Sequence, residues 1–78
     1  MTEFHPAPAA FTAEQLQADQ ILRYFHYSHL PASLQGVSKP FCDLARTMVE
    51  TLPRNAERSA ALRKLLEAKD CAVRANVA

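Results

Sequence analysis

The sequence predicts an all-α fold: a short three-helix chain with a C-terminal antiparallel helical hairpin, assembled as a compact homo-oligomer. Three observations carry that expectation. Phe41, Leu44, Ala45, Met48, Val49 and Leu52 recur at i, i+3, i+4, i+7, i+8 and i+11, the apolar spacing of one helix face. No run alternates with period two, and with one glycine in the chain there is no Gly-rich turn pair to close a β-hairpin. The link Pro53-Arg54-Asn55 is short enough to force the two helices around it to fold back on each other.

The elements follow in order. Residues 1–11 read as a flexible N-terminal arm and residues 12–78 as a single helical hairpin domain. Thr12-Ala13-Glu14-Gln15 has the capping-box pattern, with Thr12 as cap and Gln15 reaching back. From there the first helix is expected to run to about His29, because Pro31 disfavours helix at Leu30. Ala18, Ile21, Leu22 and Phe25, with His29 alongside, form its apolar face; Tyr24 and Tyr27 fall away from that face. A bend through Pro31–Gly36 follows, with room for a helical turn. Ser38 is the expected N-cap of the second helix and Pro40 the first-turn proline whose missing N–H costs nothing. Pro53 ends this helix. Asn55 caps the third, with Glu57 near its positive end.

That third helix has an unusual charge pattern. Leu62, Leu65, Leu66, Ala72 and Val73 share a stripe at about 100° per residue, and Lys69 falls inside it. Arg63, Glu67, Asp70 and Arg74 form a row beside it, spaced for neighbours to touch. A cation in an apolar stripe needs a partner, a route to water or a bound anion. Satisfaction across a protomer interface is the expectation for Lys69.

Size and composition narrow the function classes. A chain of 78 residues buries only roughly 60% of its unfolded surface, so its core is thin and assembly is a natural source of stability. Nine basic and eight acidic residues give a net charge of +1. Affinity for DNA or RNA polymers rests on a basic excess, so no long nucleic acid is expected; a small ligand with two or three phosphates remains compatible. No apolar run approaches the ~20 residues of a membrane span, and a cytoplasmic location is expected. Cys42 and Cys71 lie in helical patterns and read as buried free thiols.

Catalysis finds little in the sequence. There is no nucleophile elbow, phosphate loop or acid pair in a pocket-forming motif, so no enzyme, catalytic residue, metal or cofactor is expected. His26 and His29 are three apart, but two ligands do not make a metal site. Binding is better supported. Tyr24 and Tyr27 beside Gln17, Gln20 and Arg23 are aromatics on a polar side, suited to another protomer or a flat ligand. Lys39, placed in the first turn of the second helix, opposes the dipole unless it helps hold an anion; the plain alternative is a solvated lysine. Arg74 is either held in a surface ladder by Asp70 and Glu67 or oriented by Asp70 towards a phosphate, and the same choice applies to Arg63.

The order of these residues resembles a known family. Tyr24-Phe25-x-Tyr27-x-His29-Leu30-Pro31, Leu34-Gln35-x-Val37-Ser38-Lys39-Pro40-Phe41 and Leu52-Pro53-x-Asn55-x-Glu57-Arg58, continuing through Leu62-Arg63-Lys64-Leu65-Leu66-Glu67-Ala68-Lys69-Asp70-x-Ala72-Val73-Arg74-Ala75, are similar to the phage anti-CBASS cyclic-nucleotide sponges. Their helical hairpin is shared with anti-Thoeris sponges, whose additional structure this chain has no room for. The resemblance spans about two thirds of the chain. It implies a homohexamer in the host cytoplasm that sequesters cyclic oligonucleotide messengers without cleaving them, blocking CBASS anti-phage signalling. It also implies that cyclic dinucleotides such as cGAMP lie between protomers, with Tyr24 stacking on a base and Lys39 meeting phosphate. Cyclic trinucleotides are implied in separate pockets lined by Arg74, with Arg63 as a competitor for that role. His26, Tyr27 and Ser38 are further candidates for lining a pocket. The alternative is a helical oligomerisation or protein-docking module with no nucleotide ligand.

Overall fold

A computed structural model describes residues 11–77. The arm assigned to the N-terminus therefore lies outside the described residues except for Phe11. Four helical elements follow in order: α1 (Ala13–Ala18), a 3-10 helix (Gln20–Phe25), α2 (Ala32–Thr51) and α3 (Ala56–Val77). Among the described residues there is no strand, as the absence of period-two alternation implied.

The start of α1 matches its sequence signature. Thr12 Oγ1 accepts from the Gln15 N–H at 3.0 Å, and Gln15 Oε1 accepts from the Thr12 N–H at 2.9 Å, the reciprocal pair that satisfies two otherwise orphaned donors. The end does not match. The single helix expected from Thr12 to His29 breaks at Asp19, whose backbone (φ −133°, ψ 86°) leaves the helical region, and the chain resumes as a 3-10 helix. The cause is tertiary. The buried Asp19 carboxylate accepts a hydrogen bond from Arg58 Nη2 of α3 at 2.6 Å, and a residue that far away in sequence sends no signal in a local window.

The second correction concerns α2. It begins at Ala32, directly after Pro31, so the segment expected to bend is helical and Ser38 and Pro40 lie inside the helix. Ser38 is not a cap. It is 1% exposed and its Oγ has no hydrogen-bond partner. A glycine and a proline in a helix interior cost about 1 and about 3 kcal/mol relative to alanine. Tertiary contacts outweigh them here. Gln35 Nε2 ties the helix to the preceding turn by donating to the carbonyls of Leu30 (2.7 Å) and Ser28 (3.3 Å), while Ser38, Cys42 and Ala45 are packed inward.

The hairpin reads as predicted at its turn. Leu52 leaves the helical region (ψ 140°) ahead of Pro53, and Asn55 Oδ1 accepts from the Arg58 N–H at 2.9 Å to cap α3. The core comprises Phe11, Leu22, Phe25, Cys42, Ala45 and Leu62, with Ile21, Tyr27, Phe41, Met48, Val49, Leu65 and Leu66 half-buried against it. The inward face of α2 is thus rotated from the apolar stripe: Leu44 and Leu52 are exposed, while Ser38 and Cys42 are inside. Phe11, assigned to the arm, belongs to the core. No described helix is long and apolar enough to cross a membrane.

Candidate functional site

Tyr24 sits near the end of the 3-10 helix, a conformation whose three-residue repeat turns Leu22 and Phe25 into the core and Tyr24 outward. Its side chain is 59% exposed, as the sequence implied. The Arg23 guanidinium lies 5.8 Å from the Tyr24 ring centroid, within cation–π range, and Arg23 Nε is held by the Gln20 carbonyl at 3.3 Å. Tyr27, expected on the same polar side, instead half-buries against the core; the break at Asp19 removes the helical register that had placed it outside.

Between Tyr24 and α2 lies a short turn closed by the Leu30 N–H on the Tyr27 carbonyl at 3.0 Å. In it the His26 and His29 rings stack with centroids 5.2 Å apart and an interplanar angle of 7°. His26 Nε2 and Ser28 Oγ share a hydrogen bond of 2.8 Å. Gln35 fastens this turn to α2 through the two carbonyl contacts above. Among the described residues no three metal-ligating side chains converge.

Lys39 is exposed on α2, but not where the dipole argument placed it. It stands about two turns into the helix, beyond the first turn in which the macrodipole field acts. The field around it is made by side chains. Lys39 Nζ donates to Asp43 Oδ2 at 2.8 Å, and Arg46 Nη2 reaches Asp43 Oδ1 at 3.4 Å. The hydrogen bond to Asp43 raises the Lys39 pKa above the ordinary lysine value, with Asp43's charge and then Tyr27 adding to it, so the ammonium is cationic throughout the neutral range. Being fully exposed, it adds little to stability; what it adds is present at neutral pH and is lost as pH rises through the elevated pKa. The 3-10 helix packs on α2, so Tyr24 and Lys39 belong to adjoining elements.

Arg74 lies separately, near the C-terminal end of α3. Its Nη2 contacts Cys71 Sγ at 3.3 Å. Cys71 is exposed rather than buried as expected, whereas Cys42 is fully buried and burial raises its thiol pKa. Lys69, the cation in the apolar stripe, has a side chain only 12% exposed and meets Asp70 Oδ1 at 3.2 Å. Its ion-pair partner within the protomer is therefore the adjacent residue on its own helix. Ala72 and Val73 remain half-buried beside it.

One cluster escaped the sequence reading. A groove of about 450 Å³ is lined by Thr12, Glu14, Gln15, Asp19, Arg54 and Arg58, among others. Asp19 and both arginines are already engaged: Arg58 with Asp19 and the Leu52 carbonyl (2.9 Å), Arg54 with the Ala18 carbonyl (3.2 Å). It is the seam where α1 docks on the hairpin turn. No family model matches the chain, and no curated protein or solved structure matches it significantly.

Proposed function

We propose that this protein is a non-catalytic sponge for cyclic oligonucleotide second messengers, made by a phage and acting in the host cytoplasm to keep CBASS signalling silent. The observation that carries the reading is Tyr24. It is an aromatic at a position and spacing resembling the sponge family's base-stacking residue, and its ring is left outside the fold of the protomer at 59% exposure. Stacking of a base on such a ring is worth roughly 1–3 kcal/mol. Lys39 supplies a permanent cation on the adjoining helix for a phosphate of a cyclic dinucleotide. The net charge of +1 suits a ligand of two or three charges rather than a polymer. Arg74, exposed near the end of α3, is the residue for cyclic trinucleotides; Arg63, also exposed, is its competitor. The protomers assemble as a hexamer, with ligands held between them.

The test incubates the protein with cyclic dinucleotides, follows binding by calorimetry and then denatures the complex. Intact ligand is expected to be recovered. Linear product would make the protein a phosphodiesterase instead.

A second reading has its own observation. Tyr24, Leu44, Leu52 and Val77 are all exposed large apolar side chains, which is what a helical oligomerisation or protein-docking module with no nucleotide ligand presents. Assembly without binding to any member of a cyclic di- and trinucleotide panel would favour it.

A further inference from the structure

Arg23 and Tyr24 are neighbours in the 3-10 helix, whose three-residue repeat turns Leu22 and Phe25 into the core and sets Arg23 above Gln20. That register fixes Arg23 from two sides. Its Nε donates to the Gln20 carbonyl at 3.3 Å, and its guanidinium carbon stands over the Tyr24 ring, 5.8 Å from the centroid. The Tyr24 side chain is still 59% exposed, so the guanidinium takes up one face of the ring and leaves the other to solvent. A guanidinium stacks on an aromatic face as a plane, which a lysine ammonium cannot do, and its charge is drawn to the ring quadrupole. A ring held in this way has less freedom to lose when a base settles on it.

We infer that Arg23 is the positioning residue of the stacking site: it holds the Tyr24 ring from behind, and a nucleobase is received on the free face. The inference rests on the cyclic-nucleotide reading above and adds to it a residue that acts through Tyr24 rather than on the ligand's phosphate. The rival role is a solvated cation that attracts an anionic ligand by charge alone. The two roles respond differently to the same substitutions.

Without ligand, NMR should show Arg23 side-chain protons shifted upfield by the Tyr24 ring current, with the shift gone in Tyr24→Ala. In calorimetry with cyclic GMP–AMP, Arg23→Met, which keeps the aliphatic stem, should weaken binding about two- to fivefold, the range of an exposed cation–π contact. Arg23→Lys should bind as weakly as Arg23→Met although it keeps the charge. In a Tyr24→Ala background neither substitution should lower the affinity further. Arg23 is exposed, and the circular dichroism of each variant should match wild type. Arg23 protons without the ring-current shift, wild-type affinity in Arg23→Lys, or an undiminished loss in the Tyr24→Ala background overturns the inference while leaving the sponge reading intact. Absence of wild-type binding to every cyclic nucleotide overturns both.

Discussion

Replacing Arg58 with methionine is the severest test of how this small fold holds together. Arg58 and Asp19 have side chains 7% and 6% exposed and meet at 2.6 Å. The same guanidinium donates to the Leu52 carbonyl at 2.9 Å, and more weakly to that of Val49 at 3.4 Å. It thus fastens the break after α1, the end of α2 and the start of α3 at one point. Arg58→Met keeps most of the aliphatic packing but strands a buried carboxylate and two carbonyls at the end of α2. Breaking a buried pair from one side costs about 3–5 kcal/mol. A chain of this length has a total stability of roughly 4–12 kcal/mol, so the variant should lose a large share of it. At about 4–8 °C per kcal/mol, the melting temperature should drop by at least about 12 °C. Urea unfolding followed by circular dichroism, at one protomer concentration because assembly contributes by mass action, gives the free energies. The double variant Asp19→Leu with Arg58→Met removes the stranded charge and should recover at least about 1.5 kcal/mol relative to the sum of the two single losses. A loss below about 1 kcal/mol for Arg58→Met, or simple additivity in the cycle, would refute the reasoning that this pair organises the fold.

Three further outcomes are expected. Tyr24→Ala should weaken cyclic dinucleotide binding by roughly 5- to 150-fold, the range of one lost base stack, and Lys39→Ala should weaken it while flattening its salt dependence; calorimetry at two ionic strengths checks both, and dissociation to monomer by mass measurement would show a structural role instead. Arg74→Ala should impair cyclic trinucleotide binding alone, and equal loss for dinucleotides would contradict separate pockets. Cys71 should label rapidly with a maleimide while Cys42 stays protected until unfolding, as read by intact mass; because burial raises the Cys42 pKa, folding stability should decline as pH rises from the ordinary thiol value towards the raised one, and a flat profile there would contradict its burial.

Much of the fold was legible because its signals are local. The Thr12–Gln15 capping box, the Asn55 cap and the short link between α2 and α3 each depend on neighbours within a few residues, and each stands where the sequence put it. What was not legible depends on distant partners. Asp19 reads as an ordinary helical residue until Arg58, 39 positions away, takes its carboxylate. Pro40 after Ser38 reads as a helix start, because first-turn proline is the commoner arrangement; the turn held by Gln35 extends the helix back to Ala32 instead. That misplacement carried through to the site: Lys39 was singled out for a dipole it does not feel. Tyr24 was legible because a single aromatic outside the apolar face stays outside whether the backbone is α or 3-10. Tyr27, three residues on, depended on the helical register and was lost with it.

The central claim is tested most directly by titrating the protein with cyclic GMP–AMP in a calorimeter and recovering the nucleotide after heat denaturation. Saturable binding with chemically intact ligand returned is the predicted result. Silence across cyclic di- and trinucleotides, or recovery of linear product, would contradict it.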